Sequence, residues 1–407
     1  MLYIKLAWRN IFRNKRRTII AGLAIGMGLA ALIFTDAFII GEERNMIYSA
    51  TSTFAGEAQI FRVGYRETQE SELTINNYKS IVENLQSEPI VDKFTSRVSV
   101  FGTVSAPANM AGVQIFGIEP ETEREMSILD EAIIEGEYFA DDNMRNILIG
   151  KKLAEILEVG LGDRIVLTVS QAESGDLIQE LFKVSGIFDF GERAMNSAAA
   201  FIRIEKARDM LAIGETAHII SIKFINPELS KNNRLPFWDK YSKNGNKAVS
   251  WTELFPQLVS IFEFAFVAKL FISIILMGVV VFVILNTLFM SLYERMFEFG
   301  ILRAIGTRPL GVAKLILLEA GALSVISIVF GSVIVLIVNL ILMKVGVDIT
   351  GTEMVGVAIR EKIYPVLRVS QFTINPLGVL LFTVIVGIYP ALYAAKLNPA
   401  KAIRKSL

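Results

Sequence analysis

The chain has no cysteine and one histidine, His218, and these shortages remove whole classes of function. Without thiols there is no disulfide framework, no thiolate metal site and no thiol nucleophile. A single imidazole excludes multi-histidine metal centres. With no nucleophile-elbow sequence beside it, a serine hydrolase is not expected. No G-x-x-x-x-G-K-[ST] occurs: Gly150-Lys151-Lys152 lacks the upstream glycine and the hydroxyl residue, so this chain should not hydrolyse ATP itself. Charge of either sign is not in excess, 41 basic residues against 41 acidic, and nothing favours nucleic acid as a partner. The acidic stretch Glu119, Glu121, Glu123 and Glu125 around Arg124 reads as a solvated face. No period of 20–50 residues repeats.

What the chain does have is four long apolar runs, at 18–40, 270–293, 320–343 and 376–395. About twenty residues at about 1.5 Å each cover the roughly 30 Å hydrocarbon core, so each run can span a bilayer as a helix. The spans are unevenly distributed, one before and three after a mostly polar stretch. The expected layout is an amphipathic helix at 1–17, TM1 at 18–40 and an outer domain at 41–260. TM2 with a helical lead-in follows at 261–293, a charged loop at 294–314, TM3 at 315–343, a loop at 344–375, TM4 at 376–395 and a tail at 396–407.

Segments 1–17, 294–314 and 396–407 carry fourteen Lys and Arg in fifty residues, whereas 344–375 carries four in 32. The positive-inside rule therefore places both termini and the 294–314 loop in the cytoplasm and the large domain outside. Eighteen uncharged residues run from Thr18 to Asp36, longer than a signal-peptide core, so the first run is expected to remain as an anchor.

Within 1–17, Leu2, Tyr3, Leu6, Ala7 and Ile11 oppose Lys5, Arg9 and Arg13 at helical spacing. Such a helix suits the inner headgroup region or serves as a basic anchor. Gly22, Gly26 and Ala30 recur every fourth residue in the first run, a stripe that lets another helix approach closely, in this chain or a second subunit. Asp36, Lys269 and Glu319 sit near span ends, where pairing or snorkelling is expected.

The segment 41–260 alternates strand-like and helix-like stretches. Strands are expected at 57–65, 97–104, 112–118, 146–149, 164–169, 180–187, 200–204, 219–224 and 248–251, and helices near 75–85, 153–157 and 206–211. The class is α+β, as one body or two subdomains. Between the second and third spans, Phe297, Ile301 and Ile305 share one helical face and Glu294 and Glu298 another. A helix of this kind can dock its apolar side in a partner's groove while its charges set register.

Three motifs in order carry a family resemblance. They are Arg9-Asn10-Ile11-Phe12-Arg13-Asn14-Lys15-Arg16-Arg17-Thr18, then Glu294-Arg295-x-x-Glu298-x-Gly300-Ile301-Leu302-Arg303-Ala304-Ile305-Gly306, then Tyr389-Pro390-Ala391 through Asn398-Pro399-Ala400. With the 1+3 spans they resemble the FtsX/MacB superfamily of ABC transporter permeases over essentially the whole chain. Residues 182–191 and 197–202 are similar to the outer domain of its lipoprotein-releasing LolC/LolE group.

The resemblance implies four transmembrane helices with a large α+β extracytoplasmic domain of the MacB/LolC periplasmic type, in a bacterial inner membrane. It implies a non-catalytic subunit: a cytoplasmic ABC ATPase dimer would hold ATP and Mg, this chain holding no cofactor, and a second permease copy or homologue would complete the complex. Glu294, Arg295, Glu298, Gly300, Arg303 and Gly306 would couple to the ATPase, whose motion would pass to the outer domain by mechanotransmission. Lipoproteins would be extracted from the outer leaflet, handed to a periplasmic carrier or adaptor. In LolC a long proline-bearing hairpin hooks that carrier. The matching hairpin here, with Ser170, Gly175 and Glu180, is short and lacks proline, which argues against such a hook. MacB-like export of peptides or small molecules, FtsX-like control of cell-wall hydrolases, and a membrane receptor or scaffold stay open as alternatives.

Overall fold

A computed structural model of the chain describes residues 2–139, 141–354 and 356–396, with side chains from Lys5 onward. The expected tail at 396–407 lies, apart from Lys396, outside the described residues, as do the side chains of Leu2 and Tyr3. The chain forms two compact units. One comprises Met1–Glu43, Phe262–Asp348 and Ile363–Leu407; the other comprises Arg44–Ile261 and Ile349–Lys362.

The helices of the first unit are α1 (Leu2–Ile11), α2 (Lys15–Ala50), α3 (Pro256–Glu294), α4 (Met296–Ala304), α5 (Pro309–Val345) and α6 (Gln371–Ala395). Four of these, α2, α3, α5 and α6, are long and apolar enough to cross a membrane. Asp36 of α2 and Lys269 of α3 pair with each other. Ile25, Leu29 and Ile33 of α2 pack with Val280 and Ile284 of α3, Leu323 and Val335 of α5 and Val379 of α6.

The small-residue stripe faces α5 of the same chain, so it serves an internal contact. A Cβ on Gly26 would lie 2.9 Å from the Ser327 carbonyl oxygen, and one on Gly331 only 2.3 Å from the Gly26 carbonyl oxygen. Gly22 lies against the Ser327 hydroxyl, and Ala30 is buried in the shared core. Backbones this close exclude any side chain at Gly26 and Gly331.

The α+β unit contains β1 (Ala58–Arg62), β2 (Val91–Ser105), β3 (Met110–Ile118), β4 (Ile133–Gly136), β5 (Asn146–Gly150), β6 (Arg164–Ser170), β7 (Leu177–Phe188), β8 (Ala199–Arg203), β9 (Ile219–Phe224) and β10 (Asn246–Ser250). All ten join one sheet rather than two subdomains. The pairings β2–β3, β3–β8, β8–β5, β5–β7, β7–β6 and β6–β2 return to their start. Fifteen-residue β2 makes closure possible: its first half pairs β9 and its last residues pair β6. Inward residues Val98, Val113, Ile149, Ile165, Phe182 and Ile202 fill the core, with the helices at 151–157 and 204–211. Period-two alternation supplies such side chains from Arg164–Ser170, whereas Asn146–Gly150 and Ala199–Arg203 are buried at every position.

Glu123 does not belong to a solvated face. It is fully buried and accepts two hydrogen bonds, at 2.8 and 2.7 Å, from the equally buried Arg97. Arg97 also donates to the Ser221 hydroxyl and stacks on Phe54 at 3.7 Å, so every part of the guanidinium has a partner. His218 is wholly buried, accepts from the Ser99 amide at Nδ1, lies 2.9 Å from the Ser71 carbonyl at Nε2 and stacks on Tyr65. Burial pushes its pKa down, so the lone imidazole is a neutral core group.

One part of the loop between α5 and α6 belongs to this unit, a feature no sequence pattern announced. Residues Glu353–Met354 and Val357–Ala358 form a two-stranded hairpin. Asn45 donates to the carbonyls of Glu361 and Lys362, and the Arg360 guanidinium lies over the Phe190 ring at 5.6 Å.

Candidate coupling surface

Arg295 leaves helical geometry (φ −112°, ψ 16°) and separates α3 from α4. At the far end α4 closes on Gly306 (φ 101°), where the Gly306 amide donates to the Arg303 carbonyl and the Thr307 amide to that of Leu302. This is a Schellman stop, which requires the left-handed conformation glycine adopts readily. Pro309 then occupies the first turn of α5, where its missing N–H costs nothing.

Three charged residues of this segment, Glu294, Arg295 and Glu298, pair with residues far away in the chain. Glu294 accepts from Arg17 at 2.6 Å and Glu298 from Arg13 at 2.7 Å. Arg295 is 6% exposed, donates to Glu319 at 2.6 Å and to Glu298 at 3.0 Å, and lies over the Phe299 ring at 4.9 Å. Asn10 completes the group by donating to the same Glu319 oxygen at 2.6 Å. Burial alone would raise the Glu298 pKa, but the bonds from Arg295 and Arg13 outweigh it and hold the carboxyl below its ordinary value.

All six sequence candidates thus have work within the chain. Glu298 ties α4 to the Phe12–Asn14 turn that follows α1, Glu294 ties the end of α3 to α2, and Arg295 ties their junction to α5. Gly300 is buried, the Arg303 guanidinium donates to the Thr307 carbonyl, and Gly306 makes the turn. Within the chain these charges form a clamp, and Glu294 and Glu298 keep 40% and 42% of their side chains exposed. What α4 offers outward is apolar: Phe297, Ile301, Leu302 and Ile305 are exposed, Ile305 at 78%, and Leu310 follows at 75%. Beneath them Phe299 packs with Ala7, Val312, Ile316 and Ala391.

Asn10, Arg13, Arg17, Ser291 and Glu319 were missed as members of this site. A signal existed: Glu294 has no basic residue three or four positions away, while residues 1–17 carry six cations and no acid.

The hairpin candidates behave differently. The strands β6 and β7 pair from Arg164↔Lys183 to Ser170↔Leu177, leaving a six-residue connection with Gly175 at φ 72°. At its base the Ala172 amide donates to the Leu211 carbonyl and Glu180 pairs with Lys206 at 2.7 Å, while residues 173–177 at the tip are exposed. The hairpin is short, with its base packed and its tip in solvent.

Comparison with known proteins agrees with this architecture. The MacB-like periplasmic core domain family matches residues 18–230, more than half of the chain, and the FtsX-like permease C-terminal family matches 270–399. The chain belongs to the MacB-like periplasmic core domain family and carries an FtsX-like permease segment behind it. A protein of Haemophilus influenzae called lipoprotein-releasing system transmembrane protein LolE is 21% identical over a 422-residue alignment that covers 98% of each chain. A LolC of Xylella fastidiosa is 25% identical over 310 residues, covering 71% of this chain and 72% of its own. Among solved structures, the periplasmic region of MacB from Actinobacillus actinomycetemcomitans is 13% identical with a TM-score of 0.36, covering 52% of this chain and 95% of that one.

Proposed function

We propose that this chain is the non-catalytic permease subunit of a mechanotransmission ABC transporter that draws lipoproteins out of the outer leaflet of a bacterial inner membrane. The observation that carries this reading is the end-to-end alignment with a lipoprotein-releasing transmembrane protein, 98% of both chains. Both termini and α4 would face the cytoplasm, and two permease chains would sit on an ATPase dimer that holds ATP and Mg. The exposed apolar face of α4 would rest in a groove of that ATPase. Its motion would pass through α2 and α3, which at 36 and 39 residues exceed the roughly twenty a hydrocarbon core requires.

A second reading, MacB-like export through an outer-membrane partner, is favoured by one observation: the β6–β7 hairpin is short, with only six residues between its paired strands and no proline. The test is a mild-detergent pull-down of the tagged chain with mass spectrometry. Recovery of an ATP-binding subunit with acylated lipoproteins supports lipoprotein release. An ATPase with a periplasmic adaptor supports export, and no ATPase under several gentle conditions refutes both.

A further inference from the structure

One side of α1 is unused by the bundle. Ala7 and Ile11 are buried, and Ala7 packs with Val312 and Ile316 of α5. The opposite side carries Lys5, Trp8, Arg9 and Phe12 at i, i+4 spacings, all exposed. Trp8 and Phe12 meet edge to face at 5.5 Å, yet remain 49% and 47% exposed. Lys15 and Arg16 continue the exposed basic surface. Arg13 and Arg17 have acidic partners, whereas no salt bridge engages Lys5, Arg9, Lys15 or Arg16 among the described residues.

Where this face lies follows from the connection. Only the three-residue turn Phe12–Asn14 separates α1 from the helix that crosses the membrane, and the Thr18 hydroxyl donates to the Ile11 carbonyl across it. The face is therefore held within about a helical turn of the bilayer surface. Exposed aromatic rings among unpaired cations match an anionic headgroup layer: rings enter the acyl boundary and cations meet phosphates.

We propose that this face of α1 binds anionic phospholipid headgroups of the adjoining leaflet, and that through Arg13 of the turn directly after α1, which holds Glu298, the lipid contact fixes the position of α4. Lipid composition then controls how well α4 couples to the ATPase. The second part rests on the function proposed above; the first does not.

With no cysteine in the chain, Leu6→Cys gives a single site for an environment-sensitive fluorophore on the full-length protein. The labelled chain is placed in nanodiscs of phosphatidylcholine alone or with phosphatidylglycerol. Emission should shift to the blue with phosphatidylglycerol. Lys5→Gln/Arg9→Gln should remove the shift: each cation is worth about fivefold at an anionic surface, about thirtyfold for two. Arg13, Lys15, Arg16 and Arg17 remain in that variant to direct insertion. ATPase stimulation in phosphatidylglycerol should fall with the variant to the phosphatidylcholine level. Emission that ignores lipid overturns the lipid contact. A lipid-dependent shift with stimulation unchanged by the variant overturns the link to α4. If no ATPase is stimulated by the unmodified chain, the transporter reading fails, while the emission arm still decides the lipid contact.

Discussion

Removing Glu319 should destabilise the helical unit far more than removing any other acid of the clamp. Its carboxylate and the Arg295 guanidinium are 9% and 8% exposed and lie 2.6 Å apart. In Glu319→Ala, Arg295 keeps only Glu298, at 3.0 Å, inside a cluster that includes Leu292, Phe299 and Ile316, and the Asn10 amide loses its acceptor. Breaking a buried pair by removing one partner costs about 3–5 kcal/mol, because a desolvated charge is left behind. Arg13 and Glu298 are 56% and 42% exposed, so Arg13→Ala should cost about 0.2–1 kcal/mol. The double variant Arg295→Met/Glu319→Leu removes both charges and should recover most of the single-variant loss. The assay is equilibrium unfolding in mixed detergent with rising dodecyl sulfate, followed by helical circular dichroism. A Glu319→Ala cost no larger than that of Arg13→Ala, or additive effects in the double variant, would refute the buried-pair reasoning.

Three further outcomes are expected. Gly331→Ala places a methyl 2.3 Å from the Gly26 carbonyl oxygen and should cost about 1–3 kcal/mol in the same assay, whereas Gly278→Ala, with nothing within 4 Å, should be neutral or slightly stabilising. Ile305→Glu should leave stability unchanged, since the side chain is 78% exposed, yet lower permease-stimulated ATPase activity at least tenfold; full stimulation would remove this face from the coupling role. Docking of the 349–362 hairpin should weaken as pH rises from about 4.5 to about 7. Burial, then the neighbouring Glu353, raise the Glu192 pKa from 4.5 to about 7 against the pull of Arg360. The docked state holds this proton more tightly, so its advantage is complete below 4.5 and gone above 7. Hydrogen exchange in the hairpin at pH 5 and pH 8 reads this, and Glu192→Gln should abolish the difference.

Local pattern carried much of this architecture and none of its long-range pairing. Apolar runs mark the helices because twenty residues without charge have few other solutions. They understate α2 and α3, which continue through charged residues that end an apolar run but not a helix. Strand alternation marks most of the ten strands, but closure through β6 depends on pairings such as Val104↔Leu167 that no local period encodes. At the candidate site, the spacing of Phe297, Ile301 and Ile305 gives an apolar face directly. The partners of Glu294 and Glu298 lie 277 and 285 residues away, so their charge alone could not say whether they faced a partner protein or the chain itself.

That distinction bears on how force would travel if α4 rests on an ATPase. The helix is flanked by two points where the backbone can bend, Arg295 and Gly306, and a helix between two hinges absorbs a push by rotating. The clamp opposes this rotation, because Arg13, Arg17 and Glu319 hold residues on both sides of the first hinge to the Phe12–Asn14 turn, α2 and α5. Any displacement of α4 must then carry these helices or break the pairs. The pairs are not equal under salt: Arg13–Glu298 is open to water and screened, whereas Arg295–Glu319 is shielded by its burial. Raising ionic strength should therefore loosen the Phe12–Asn14 turn from α4 first, and leave the link from Arg295 to α5 intact.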